Sequence, residues 1–160
     1  LRYSLDDVDT LVPLGNELEH TRIYLELQEL RYRNSFRVEW DVQDGIVQYQ
    51  VIKIMLQPIV ENSIYHGIKP MEGLGRILVT AREEGEYLIF MVEDNGAGFN
   101  PASPKDGRCV RKGSVGLKNV EERLKLYYGQ DCGVSIVSSP GAGCTVKLML
   151  KKHVVHRETE

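Results

Sequence analysis

Asn62 and His66 stand four residues apart in "IVENSIYHGIK", a spacing that puts both on one face of a helix, with Glu61 adjacent. A carboxamide oxygen is a hard ligand suited to Mg²⁺, an ion that keeps several waters and binds phosphate oxygens together with one or two protein groups. Asp94 closes the apolar run "EYLIFMVED", and Gly96 and Gly98 follow at once. A carboxylate at a strand end can accept a hydrogen bond from an exocyclic amine, while such glycines let the backbone turn sharply and approach a flat ring. In "GSVGLKNV", Gly113 and Gly116 lead into a helix, so the backbone N–H groups of Ser114, Val115, Gly116, Leu117 and Lys118 can receive a phosphate. Arg108, Arg111 and Lys112, just upstream, can add positive charge over that phosphate. Taken singly, each feature has a plainer reading. A helical Asn is more often a satisfied polar group, Asp-Asn-Gly makes a turn, and glycines before a helix make a cap. Loop cations are often simply solvated.

The elements that must position these residues follow from periodicity. Leu18, Ile23, Leu27 and Leu30 recur at helical spacing between Asn16 and Arg33, which predicts an amphipathic helix entered at Pro13 and Gly15. Phe36, Val38, Trp40 and Val42 alternate with charged residues, as in a half-buried strand. A helix is expected over Val51 to Ile68, closing at the glycine- and proline-rich "GIKPMEGLG". Two strands around Ile77–Val79 and in "EYLIFMVED" meet at a Glu84-Gly85-Glu86 hairpin turn. Asn95 to Ser114 has the length and composition of a functional lid or a disordered loop. A helix through Leu117, Val120, Leu124 and Tyr127, then a hairpin from Val134 to Leu150 around "SPGAG", completes the order. This succession predicts an α+β fold, a mixed sheet covered by helices on one face.

Composition narrows the classes. With 160 residues, 42% hydrophobic and 27% charged, the chain reads as one globular domain. A net charge of −3, mixed along the sequence, gives no electrostatic footprint for nucleic acid. No apolar run approaches the roughly 20 residues that cross a bilayer. Three cysteines without Cys-x-x-Cys spacing suit free thiols in a reducing compartment. The abrupt start at "LRYSLDDVDT" reads as a fragment of a longer protein, whose other parts can include a membrane anchor.

The motifs gain weight from their order: "EN" on a helix, "DNGAGF" at a strand end, a lid, "GSVGLKNV", then "GAGCTV". From Phe36 to Lys151 this order resembles the Bergerat ATP-binding fold, a two-layer α/β sandwich shared by gyrase, the ninety-kilodalton chaperones, histidine kinases and MutL. Together with "LRYSL" and "ELEHTRIYLELQELRY", the stretch "LQPIVENSIYHGI" looks like the YesM/LytS class of two-component sensor histidine kinases. The resemblance implies ATP and Mg²⁺ as ligands, with Asn62 holding the metal and Asp94 the adenine. It implies Gly96 and Gly98 shaping the base pocket, Gly113 to Lys118 holding the phosphates, His66 near the phosphates or the lid, and Cys144 and Thr145 in the final nucleotide box. It further implies a linker helix over 1–34, a catalytic domain over 35–151 and a frayed tail over 152–160. The whole would be a homodimeric, membrane-anchored sensor whose cytoplasmic kinase domain signals to a response regulator. Three positions depart from the family pattern: Tyr65 stands where a Lys is common, Cys144 where a Thr is usual, and Ser114 where many relatives have Gly.

Kinase and hydrolase differ in one expectation. The hydrolysing relatives keep a Glu four residues before the metal ligand, on the same face, as general base. Here that position is Pro58, which can abstract no proton. Glu61 points about 100° away from Asn62, so it suits orienting Asn62 or assisting a protein nucleophile better than activating water. The expected chemistry is transfer of the γ-phosphoryl to a histidine. No "N-P-H-F"-like acceptor segment is present, and His20 reads as linker surface, so the fragment should bind ATP without phosphorylating itself. The alternatives are a Bergerat-type ATPase, and a nucleotide-independent dimerisation or partner-binding module.

Overall fold

Alternation of apolar and polar side chains carries through into a five-stranded sheet. A computed structural model describes residues 11–101 and 114–153. The strands are β2 (Phe36–Val42), β4 (Gly75–Glu84), β5 (Tyr87–Asp94), β6 (Gly133–Ser138) and β7 (Cys144–Lys151), in the spatial order β2-β4-β5-β7-β6. Only β2 and β4 run parallel; the other pairs are antiparallel, so the sheet is mixed. Along β7 every second residue, Cys144, Val146, Leu148 and Leu150, is buried against the helices, which cover this single face. The β4–β5 hairpin closes through Gly85 at φ +59, a left-handed backbone that glycine takes without steric penalty.

Three helices lie on the sheet: α1 (Leu14–Arg31), α2 (Gln57–Asn62, continued by a π-helical turn Ser63–Ile68) and α3 (Ser114–Tyr128). Ile59, Val60 and Ile64 from α2 and Leu117, Val120, Leu124 and Tyr128 from α3 enter one core with Phe90, Val92 and Leu148. Leu14 and Leu25 of α1 join the same core.

Two expectations need correction. The first concerns Val51–Ile68, expected as one helix. Gln50–Ile52 is instead a strand, β3, paired with β1 (Leu11–Pro13), and Ile54 at φ +58 breaks the chain away from helical geometry. The helix starts only at Gln57, with Pro58 in its first turn, where the missing N–H is no loss. An apolar run of this length fits either element, and the distant partner β1 decides. The second concerns the buried face of α1. Leu14, Glu17, Thr21 and Leu25 are buried, whereas Ile23, Leu27 and Leu30 are 49%, 59% and 70% exposed. Leucine and isoleucine occupy two opposite sides of this helix at 100° per residue, and spacing alone cannot say which side meets the sheet. The helix also ends earlier than expected, because Arg33 and Asn34 adopt left-handed backbone, φ 56 and 58.

Candidate functional site

Asp94 is the last residue of β5, flanked by Ile77 of β4 and Cys144 of β7, and is 8% exposed. Its Oδ1 accepts the Gly96 N–H at 2.8 Å. Burial lifts the carboxyl above its ordinary pKa, and the Gly96 hydrogen bond opposes that rise.

Backbone closes most of the surroundings of Asp94. A Cβ on Gly96 would lie 2.2 Å from the Gly67 carbonyl carbon, and one on Gly98, at φ +65, 2.0 Å from the Ser139 oxygen. The Ala97 N–H donates to the Gly67 carbonyl at 3.0 Å, and the Gly141 N–H donates to the Ala97 carbonyl at 2.7 Å. The "DNGAGF" turn is thus sewn to α2 on one side and to the β6–β7 turn on the other. Phe99 N–H donates to Ser138 Oγ, which donates to the Gly143 carbonyl. Gly67 and Gly143 were not singled out from sequence. A Cβ on Gly67 would meet Asp94 Oδ1 at 2.6 Å, and one on Gly143 would meet the Asp94 carbonyl oxygen at 2.0 Å. A glycine inside a helix, as in "YHGI", is unfavourable by itself, and that penalty is the signal for a close approach.

Asn62 ends the α-helical part of α2 and is 8% exposed. Its Oδ1 is buried without a hydrogen-bond partner. An orphaned buried acceptor is costly unless a ligand completes it. The π-helical turn begins directly after Asn62, a local widening that occurs often at functional sites. His66, half-buried, lies within that turn and has a partner of its own. Among the described residues no three His, Cys, Asp or Glu side chains cluster as a metal site. A hard divalent ion held by Asn62 and by ligand phosphates fits that donor set.

Glu61 looks elsewhere. Its carboxylate accepts Gln57 Nε2–H at 3.0 Å, and Gln57 Oε1 lies 2.7 Å from His20 Nε2 on α1. Burial first, and the Glu61 charge second, push the Tyr24 phenol of α1 up to about 12. Pro58 faces α3, where a Cβ on Gly116 would sit 3.4 Å from the Pro58 Cβ. Position 58, four residues before Asn62, thus carries no carboxylate.

Lines of sequence predicted to meet the phosphates are only partly described. Gly113, Arg108, Arg111 and Lys112 lie outside the described residues, and of Ser114 and Val115 only the helical backbone is described. The α3 helix begins at Ser114, so Gly116 lies in its first turn, where amides lack intrahelical partners. Leu117 is a core residue and Lys118 is exposed, one step further in. At the other end, Cys144 is opposite Asp94 and buried with it, while Thr145 pairs with Glu93. Alternation across the strand turns the Thr145 side chain to the opposite face of the sheet, so of the two only Cys144 shares the face of Asp94.

The model of the histidine kinase-, DNA gyrase B- and HSP90-like ATPases matches residues 49–154, more than half of the chain. The chain belongs to that family. It is similar to the sensor histidine kinase BtsS of Escherichia coli, at 31% identity over 93% of this chain and 25% of the relative. It is also similar to the sensor histidine kinase YesM of Bacillus subtilis, at 27% identity over 94% of this chain and 26% of the relative. The chain therefore spans about a quarter of these relatives. In fold it is similar to full-length ShkA, solved in complex with AMPPNP, with a TM-score of 0.66 at 20% identity, covering 92% of this chain and 32% of that one. The ATPase-family fold thus accounts for the mixed sheet, and the relatives make this an ATP-binding catalytic domain of the sensor-histidine-kinase type. Gly96, Gly98 and Cys144 surround Asp94, Asn62 stands at the end of the α-helical part of α2, and Glu61 faces the α1 helix.

Proposed function

We propose that the chain binds ATP with Mg²⁺ and hands the γ-phosphoryl to a histidine on an upstream segment of the same protein or of its dimer partner, for relay to a response regulator. The single observation behind this reading is the carboxamide oxygen of Asn62, buried and without a partner. Asp94 accepts the exocyclic amine of the base, with Gly96 and Gly98 leaving room for its plane. Asn62 holds the metal, and the first-turn amides of α3 together with Arg108, Arg111 and Lys112 face the phosphates. Mg²⁺, when bound, supplies positive charge to the phosphate oxygens as charge develops there. Pro58 and the turned-away Glu61 leave water without an activating base, which favours a protein nucleophile.

In the same reading residues 1–34 form the linker from the phosphoacceptor segment, 35–151 the catalytic domain and 152–160 a tail, within a homodimeric membrane-anchored sensor whose kinase domain is cytoplasmic. No helix among the described residues is long and apolar enough to cross a membrane. The test is a titration of the chain with Mg²⁺ and ATP, followed by mixing with the upstream segment. Saturable binding and acid-labile phosphate on that segment are expected. Steady phosphate release by the chain alone, lost in Asn62→Ala, would instead make it a hydrolase, and absence of binding would sink both.

A further inference from the structure

The turn between β3 and α2, Lys53–Leu56, lies outside the pocket, yet three elements converge on it. Ile54 holds φ +58, a backbone that β-branched residues rarely adopt, so its surroundings must keep it there. From α1 comes Glu17, only 2% exposed. Its Oε1 accepts the Ile54 N–H at 2.8 Å, and its Oε2 accepts those of Met55 at 2.8 Å and Leu56 at 3.0 Å. From α3 comes Arg123, donating through Nη1 to the Ile54 carbonyl at 3.1 Å and through Nη2 to the Lys53 carbonyl at 2.6 Å. Tyr128, also from α3, accepts the Ile52 N–H at 3.2 Å. An anion on one helix and a cation on another therefore grip opposite sides of the same few peptide groups. Charge-assisted bonds of this kind are stronger than neutral ones, and a buried carboxylate with three donors is fixed in place. Leu56 leads straight into α2, which runs only from Gln57 to Asn62 before the π-helical turn.

We propose that Glu17 and Arg123 are positioning residues for the nucleotide site, and that the Lys53–Leu56 turn is the joint through which the seating of α1 sets Asn62 relative to the first turn of α3. This rests on the reading of Asn62 and α3 as the groups that meet metal and phosphates. Neither Glu17 nor Arg123 needs to touch nucleotide. A shift of α1 moves the turn through Glu17, and the turn moves Asn62 along α2 and answers to α3 through Arg123.

The test uses this chain with Mg²⁺ and AMPPNP. In the wild type, saturating AMPPNP should slow hydrogen exchange at the Ile54, Met55 and Leu56 amides and in α1 around Glu17. Glu17→Gln, which keeps the shape and loses the charge, should weaken AMPPNP binding about tenfold, within the usual range of coupling between sites. Arg123→Gln should do the same, Arg123→Lys should restore part of it, and the double variant should lose little more than either single one, since both act on one turn. The core variant Leu150→Ala, on β7 and away from α1, measured equally far below its unfolding temperature, should bind as wild type. Wild-type affinity in Glu17→Gln, an equal loss in Leu150→Ala, or exchange at residues 54–56 that ignores nucleotide would each overturn the proposal. The exchange measurement needs no variant, so it decides even if Glu17→Gln does not fold. If the wild type takes no AMPPNP, the reading of the site fails and the joint falls with it; if it binds and Glu17→Gln binds equally, only the joint fails.

Discussion

The two ends of the proposed site are held by different means. Around Asp94 the fixing is done largely by backbone: Gly67, Gly96, Gly98 and Gly143 pack main chain against main chain, with backbone hydrogen bonds from Ala97 to Gly67 and from Gly141 to Ala97. Around Asn62 it is done by side chains that reach across elements, Glu17 from α1 and Arg123 from α3, gripping the turn that precedes α2. Main-chain packing has one geometry and little slack, whereas long side chains can be moved with the helix that carries them. On the proposed reading, the base end is therefore built to be constant and the metal end to be adjustable.

The largest effect should come from putting a methyl into the constant end. Gly98→Ala meets the Ser139 oxygen and also strains a φ of +65, so a loss on the order of 3 kcal/mol or more is expected in denaturant unfolding. If Gly98→Ala unfolds as wild type does, the base end is not rigid and the contrast fails. Next, Leu25→Ala on the buried side of α1 should cost about 2–5 kcal/mol in the same assay. Asp94→Asn separates binding from folding. Nucleotide affinity should fall at least tenfold by calorimetry, about 1.4 kcal/mol or more. Stability at neutral pH should hold or rise, because a buried charge is removed while an acceptor for Gly96 remains.

The same carboxyl sets a pH dependence. Its folded pKa is raised above the ordinary 3.8, so the folded state holds this proton more tightly than the unfolded state does. Its contribution to stability is present in full below 3.8 and declines as pH rises through the higher folded value. Comparing unfolding of wild type and Asp94→Asn across the acid range should reveal that decline in the wild type alone. The smallest effect is expected at the exposed side of α1. Leu27→Gln should change stability by no more than about 0.5 kcal/mol, against the large loss at Leu25 two residues away. Equal losses at Leu25 and Leu27 would mean that the assignment of the two faces is wrong.

Much of the site was legible because its residue types are forced by local geometry. Asp94 had to end a strand, Gly96 and Gly98 had to turn beside it, and Asn62 had to lie on a helix; local patterns carry all of this. Gly67 was missed since the close approach that demands it comes from a turn almost thirty residues later in the chain. Thr145 was grouped with Cys144 from the motif, and only the register of β7 against β5 separates their faces. Residues 51–52 were assigned to a helix because their partner strand lies at Leu11–Pro13, far outside any local window.

By itself the sequence determined the order of the three helices and of the five strands of the main sheet, its mixed α+β character and the chemical identity of the groups at Asp94 and Asn62. These follow from periodicity, turn chemistry and the functional groups of single residues, all of which act over a few positions. Only the tertiary structure decided which side of α1 is buried, where α2 begins, and that Glu17 and Arg123 meet on one turn. Each of those depends on free energy shared between segments distant in the chain: a strand pair, a buried carboxylate and the donors that satisfy it. Local spacing carries no information about such partners until the chain has folded around them.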